Sequence, residues 1–429
     1  MSKDGLLYKI KEGFSDMLYI WANELRNVFR DQGVLIFFIL VPLGYPLVYS
    51  WIYTAEVVRE NPVAVVDMDH TALSREFIRK LDASPDVKVA YYCMNLEEAK
   101  DLVGRQKVKG VIYLPSDFEK NIARKEQSVV SVFCDMGLML SYKGIYQASS
   151  AVALDMGAEI QAERSSGFTN RDDELTTEPL RSESVNIFNA SAGYGNFLLP
   201  AVLVLIIHQT LLFGVGLSAG TARENNRFRE LVPISNHYNG IFRIVFGKAM
   251  CYFMIYCVMC TYAVVCVPQF FQYTAIMHAH DLFLFMVPFL LATIFFAMTF
   301  SCLVRYRENV ILLVVFTSVP LLFMSGISWP ESAMPRFWRI VACIFPSTFG
   351  MRGYVRMASM GGLLSDVAVE YHALWIQSFI YLLTTCAVYR FQILRARALN
   401  VKTFEHIRDM AHQARLRSKS TTTSAEEAE

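Results

Sequence analysis

At 429 residues, with 54% hydrophobic and 13% aromatic residues against only 18% charged, the chain is too apolar for a set of soluble domains and falls in the integral membrane class. A formal net charge of +1, with the basic residues not gathered on one soluble domain, gives no case for a nucleic-acid partner. The nine cysteines show no Cys/His grouping with zinc spacing, and Cys251, Cys257, Cys260, Cys266, Cys302 and Cys386 lie in apolar spans, where they read as small packing residues.

The chain begins with a long polar, amphipathic stretch rather than a cleavable signal, and FSDMLYIWANELRNVFRD is its clearest part. Phe14, Met17, Leu18, Trp21, Leu25, Val28 and Phe29 recur at three- and four-residue steps, while Asp16, Glu24, Arg26, Asn27 and Arg30 fall elsewhere. This predicts a helix over 1–32 lying in the membrane interface, since no cytoplasmic domain is available to receive its apolar face.

A helix crosses the hydrocarbon with about 20 mostly apolar residues. Six stretches qualify: Gly33 to Tyr53, Tyr194 to Leu217, Ile241 to Phe270, Leu282 to Val304, Val310 to Ile327 and Ala373 to Leu394. Arg243 and Lys248 sit in the first turns of the third, where long side chains snorkel. Basic residues flank the spans in a consistent pattern: Lys3, Lys9, Lys11, Arg26 and Arg30 before the first, Arg223, Arg227 and Arg229 between the second and third, Arg305 and Arg307 between the fourth and fifth, and seven more after the last. With an even number of spans, both termini are expected in the cytoplasm and 54–193 outside it.

That outer segment reads as an α/β domain. Val63 to Val66, Val87 to Tyr91, Gly110 to Tyr113 and Val129 to Phe133 are short β-rich runs, separated by helical patterns at Leu73 to Leu81 and Leu96 to Val103; a longer helical pattern covers Leu138 to Glu163, and Phe168 to Glu183 is a polar loop. Its first strand ends in VAVVDMDHTAL, an Asp-x-Asp-x-Thr that locally matches haloacid-dehalogenase-like phosphatases, with Asp67 as nucleophile and Asp69 holding magnesium. Such an enzyme also needs a further acidic pair at a later strand end. The adjacent pair Asp172 and Asp173 lies in the polar loop, so Asp67 and Asp69 are expected instead to turn the chain and cap the helix that Thr71 and Ser74 begin. Cys93 and Cys134 share the domain, where an oxidising compartment permits a bridge, but no spacing fixes their distance.

Within the second span, His208, Gln209 and Thr210 are expected to face protein or water, either in a polar path or dimer seam or in ordinary interhelical hydrogen bonds. His278 and His280, after the third span, are a weak metal signal beside Asp281. Beyond the fifth span, Pro330, Pro335 and Pro346 divide 328–360 into two half-apolar pieces too short to span, expected to dip into the outer leaflet and return. The segment 395–429 is a basic tail with a helical pattern at Thr403 to Leu416 and a disordered end.

This order of elements resembles the membrane subunit of type-2 ATP-binding-cassette exporters, permeases with a large extracytoplasmic domain between the first two spans. VAVVDMDHTALSREFIRKL is similar to the start of that domain, GVIYLPSDFEKNI to its middle, and SGISWPESAMPRFWRIVACIFPSTFGMRGYVRM to the outer helices before the last span. RENNRFRELVPIS followed by FGKAMCYF resembles the loop that touches the ATPase, with Asn226 and Arg227 standing where the family often has Gly-Thr. The resemblance implies a membrane α-helical fold of six transmembrane helices with an inserted extracytoplasmic α/β domain and re-entrant outer helices. It also implies a coupling loop at 220–240 carried by Arg223, Glu224, Arg227, Arg229 and Glu230, and residence in the cell inner (plasma) membrane. The partners implied are cytoplasmic ABC ATPase subunits, a second permease copy or similar permease, membrane lipid, and a periplasmic adaptor leading to an outer-membrane channel.

No Gly-x-x-x-x-Gly-Lys-[Ser/Thr] occurs in the chain, so ATP and magnesium are expected to enter through the partner, with no cofactor or metal on this chain and no catalytic residue. The alternative function is a membrane sensor or mechanotransmission subunit whose outer domain binds a ligand or adaptor without forming a transport path.

Overall fold

The computed structural model describes residues 6–164, 187–189, 193–224, 240–301 and 306–393. The chain divides into two compact units, Ala55–Tyr194 and the remainder. Helix α1 spans Leu6–Arg30 and ends at Asp31, whose carboxylate accepts from the backbone N–H groups of Gly33 (3.0 Å) and Val34 (3.3 Å) and so starts α2, Gln32–Ile52. Inside α2 a π turn at Ile36–Leu40 precedes Pro42, which has no N–H to continue the regular ladder.

The Ala55–Tyr194 unit is built on β1 (Asn61–Asp67), β2 (Val87–Tyr92), β3 (Gly110–Leu114) and β4 (Ser131–Cys134), in spatial order β2-β1-β3-β4. β1 runs parallel to β2 and β3, and β4 closes the edge antiparallel. Val63 and Val65 pack on one face with Phe77, Leu81 and Ile145, and Ala64 and Val66 on the other with Cys93, Ala99 and Val111. A strand covered on both faces needs apolar residues at successive positions, which is why β1 reads as an unbroken run. From β1 the chain steps to β2, then returns across β1 to β3; right-handed crossovers in opposite directions put the two linking helices on opposite faces. Accordingly α3 (Ala72–Asp82) supplies Phe77 and Leu81 to one core, and α4 (Leu96–Gly104) supplies Ala99 to the other. The short α5 (Phe118–Ala123), without a counterpart in the sequence reading, and α6 (Met139–Arg164) join the α3 side.

In the other unit α7 (Tyr194–Glu224), α8 (Ile241–Phe270), α9 (Ala279–Ser301) and α10 (Arg307–Met324) are followed by two short helices, α11 (Arg336–Ala342) and α12 (Pro346–Met360), and by α13 over 368–393. Among the described residues α2, α7, α8 and α9 are long and apolar enough to cross a membrane, and Glu308–Met324 is a shorter apolar helix. The most apolar stretch of α7 is 89% buried against 28% for α2, so α7 is the hub around which the other helices pack. Close approach is set by small residues: a Cβ on Gly353 of α12 would lie 2.1 Å from the Phe285 ring of α9.

Candidate functional site

The Asp67 loop, the most enzyme-like motif of the chain, is engaged in hydrogen bonds within the outer unit. Asp67 Oδ1 accepts from the N–H groups of Asp69 and His70, both at 3.1 Å, and its Oδ2 accepts from the Ser74 hydroxyl at 2.8 Å. Asp69 accepts from the Thr71 hydroxyl (2.6 Å) and from Glu119 N–H (3.1 Å). Thr71 and Ser74 form a reciprocal capping box at the start of α3. Both carboxylates thus accept hydrogen bonds that hold the turn into α3.

Cys93 and Cys134 are both free thiols. They belong to cores on opposite faces of the sheet, which keeps them from bridging. Burial raises the pKa of both, that of Cys134 to about 11, and Glu98 adds to the effect at Cys93. His280 meets only its neighbour Asp281, at 3.3 Å, and among the described residues no group of three His, Cys, Asp or Glu side chains is placed to hold a metal.

Beside its apolar stripe the N-terminal helix has a buried polar side that the sequence reading did not assign. The side of α1 that packs into the protein carries Asp16, Ile20, Glu24 and Val28, each at most 4% exposed, whereas Phe14, Leu18 and Phe29 of the apolar stripe are 42–59% exposed. What buries the two acids is α8. Arg243 donates to Asp16 at 2.6 Å, Lys248 to Glu24 at 2.8 Å, and the Tyr252 hydroxyl to the other oxygen of Glu24. Lys248 therefore does not snorkel; its side chain is 7% exposed and its charge is met by a carboxylate that is 4% exposed. Gly247 makes room for the approach, since a Cβ there would lie 2.8 Å from Ile20. The helix thus has three sides, one ion-paired to α8, one apolar and one carrying exposed Arg26 and Arg30. The sequence held a partial signal for this: the acids at 16 and 24 share a helix side and two bases, at 243 and 248, stand in an apolar span, but nothing local pairs them.

A second set of contacts shields broken backbone. Pro268 cannot donate to the carbonyl four residues before it, and the Tyr354 hydroxyl of α12 donates to that Val264 oxygen instead, at 2.8 Å. Where α11 ends and α12 begins, three carbonyls in a row receive side chains: Ala342 from Thr348 (2.8 Å), Cys343 from Gln377 (2.7 Å) and Ile344 from Tyr381. Arg352 of α12 donates to Ser325 O at 2.5 Å and pairs with Glu331 at 2.8 Å, and Arg356 pairs with Glu370 at 3.1 Å. At these breaks the carbonyls are met by side chains, most of them from residues distant in sequence.

Other buried side-chain atoms have no partner among the described residues, Ser347 Oγ and Gln377 Oε1 among them, but the hub helix concentrates such atoms on two adjacent residues. His208 is 0% exposed, Gln209 7% and Thr210 6%, all enclosed by helices of this chain. Among the described residues His208 and Gln209 make no interhelical hydrogen bond, one of the two uses their sequence position offered. Thr210 donates back to Ile206 O at 2.7 Å, and although it lies near the Tyr256 phenol, that hydroxyl has no aligned partner. Both ring nitrogens of His208 and both amide atoms of Gln209 are buried with no partner among the described residues. The imidazole instead lies against the Phe296 ring, centroids 5.6 Å apart. An unpaired buried polar group costs about 1–3 kcal/mol, and two adjacent residues carry such groups in the most enclosed helix.

Of the expected ATPase-coupling residues, Arg223 and Glu224 lie on the last turn of α7, while Arg227, Arg229 and Glu230 lie outside the described residues. The expected polar loop with Asp172 and Asp173, and the basic tail from 395, also lie outside them.

Long apolar helices packed about a nearly sealed hub, with broken backbone capped by distant side chains, define a multi-pass membrane protein. The chain belongs to the ABC-2 transporter family: the family described as "ABC-2 family transporter protein" matches residues 33–387, which takes in both units. It is an ABC-2 type transporter permease, and permeases of this family normally partner with an ABC ATPase. No curated protein matches the chain.

Proposed function

We propose that the chain is the permease subunit of an ATP-binding-cassette exporter, moving a small or amphiphilic compound out of the cytoplasm or inner membrane with ATP hydrolysed by a separate subunit. The observation that carries this reading is the pair His208 and Gln209, polar, buried and unpartnered at the centre of the helical unit. Four unpartnered polar atoms on adjacent residues of the most enclosed helix would serve a passing polar atom.

In this reading α2, α7, α8, α9, α10 and α13 are the six spans, both termini are cytoplasmic, and Ala55–Tyr194 lies outside the cytoplasm. The complex holds two permease copies, or one and a similar permease, with two ATPase subunits. Arg223, Glu224, Arg227, Arg229 and Glu230 dock in a groove of the ATPase. Because α8 begins directly after that loop and is ion-paired to α1, closure of the ATPase would move α8 and α1 together. An outer unit of about 140 residues exceeds what a connection needs. It favours export, through binding of the compound or of a periplasmic adaptor leading to an outer-membrane channel.

The test is ATP-driven accumulation in everted vesicles carrying the permease and its ATPase, with the lumen profiled by mass spectrometry. Compounds should accumulate with ATP, and R223E/R227E/R229E should abolish both accumulation and co-purification of the ATPase. Accumulation that survives the charge reversal rejects the coupling loop, and accumulation without any ATPase rejects the exporter.

A further inference from the structure

Directly after β4 the outer unit carries Met136, Gly137, Leu138, Met139 and Leu140, whose four side chains are 61%, 41%, 72% and 44% exposed. The run is held in a defined shape rather than left loose. Asp135 accepts from Gly137 N–H at 2.9 Å, and Tyr142 N–H donates to Leu138 O at 3.0 Å as α6 begins. A run of exposed large apolar side chains on a preorganised turn is costly in water unless something covers it.

Strand register places this tip at one end of the unit. Val63 near the start of β1 pairs with Gly110, and Gly110 pairs with Cys134 at the end of antiparallel β4. The ladder continues outward, Lys109 N–H to Pro62 O (2.8 Å) and Asp135 N–H to Lys109 O (3.1 Å). The unit's own termini meet at the same end, where Tyr194 N–H donates to Glu56 O at 3.0 Å. From there the chain runs directly into α2 on one side and α7 on the other, both long and apolar enough to cross a bilayer. Exposed Arg59, Lys107 and Lys143 lie in the segments at this end, with Lys143 one helical turn beyond Met139 on the same face of α6. Tyr142 and Tyr146 stack at 5.8 Å along the next turns. Apolar tip, then cations and tyrosines, is the order in which a bilayer presents acyl chain, phosphate and headgroup.

The geometry points to Met136–Leu140 as a membrane-inserting tip that seats the outer unit on the lipid surface, its side chains entering the headgroup and acyl boundary. The inference rests on the reading of α2 and α7 as membrane spans.

The unit carries its own control. Met68 and Met94 follow the far ends of β1 and β2, at the opposite end of the sheet, and are 42% and 88% exposed. Hydroxyl-radical footprinting of the full chain in nanodiscs of phosphatidylcholine and phosphatidylglycerol should oxidise Met136 and Met139 roughly fivefold more slowly than Met94. A phospholipid carrying a diazirine near the top of its acyl chain, in the same nanodiscs, should leave adducts on 136–140. Oxidation of Met136 and Met139 at the rate of Met94 overturns the inference. So does protection without lipid adducts, which would assign the tip to a protein surface. Adducts on exposed Leu40, Val48 and Trp51 of α2 show whether the span reading itself holds; their presence without adducts on the tip sinks the inference alone.

Discussion

The α3 cap in the outer unit and the α1–α8 junction in the helical unit both satisfy polar side chains, but over different distances. Asp67, Asp69, Thr71 and Ser74 find most of their partners within seven residues, in a turn whose carboxylates are partly exposed. Glu24, Lys248 and Tyr252 reach partners more than 220 residues away in a place water does not enter. Removing one member of the first set leaves groups that water can hydrate. Removing one of the second leaves a buried charge alone.

The largest effect expected from that contrast is at the ion pair. Glu24→Ala should lower unfolding free energy in mixed micelles by about 3–5 kcal/mol, because Lys248 stays buried without a counter-charge. The double variant E24L/K248L should recover most of the loss. A single variant within about 1 kcal/mol of the parent would show that Lys248 escapes to water and that the two regions do not differ.

Next comes Tyr354→Phe, which removes only a hydroxyl yet exposes the Val264 carbonyl that Pro268 already left open. The expected loss is about 1–3 kcal/mol, read in the same assay. No change would mean that the carbonyl has another donor. In the outer unit Thr71→Ala should cost about 1 kcal/mol, seen as faster amide exchange confined to the first turn of α3. Exchange that spreads through the whole sheet would make the cap a more central element than its local bonds imply.

The smallest effect concerns pH. Lys80 of α3 donates to Glu159 and to Asp155 (3.0 Å) of α6, and those hydrogen bonds hold its pKa above the ordinary lysine value. A pKa raised on folding gives stability that is complete below the unfolded value near 10.5 and is lost as pH rises through the folded one. Methyl-group NMR of Ile78 should stay unchanged through neutral pH and shift only above that value. A shift near neutrality would assign the change to another group.

Legibility in the sequence follows the same contrast. The strands of the outer unit and the Thr71 cap could be read because their causes are local: apolar runs, and a hydroxyl three residues from the donor it caps. Among the six spans read from the sequence, α2, α7, α8 and α9 were legible from length and apolarity alone. α5 was not, because six residues are too few for a period to show. The ion-paired side of α1 was not legible, for a physical reason. Periodicity reports which residues are apolar, but the protein-facing side was chosen by Asp16 and Glu24, whose partners lie across the chain. His208 and Gln209 stood out as polar residues in an apolar span; that they would remain without partners required every neighbour to be in place.

The central claim is that those open groups serve passage rather than folding, and ATP-driven accumulation by H208L/Q209L vesicles tests it most directly. Apolar residues of similar size remove unpaired polar atoms, so the variant should unfold no more easily than the parent, by up to about 1–3 kcal/mol in its favour. Its accumulation should nonetheless fall to roughly a tenth or less, as expected when a buried polar contact to the moving compound is lost. Accumulation at the parent rate from an equally stable variant would contradict the account and leave the pair as unsatisfied core.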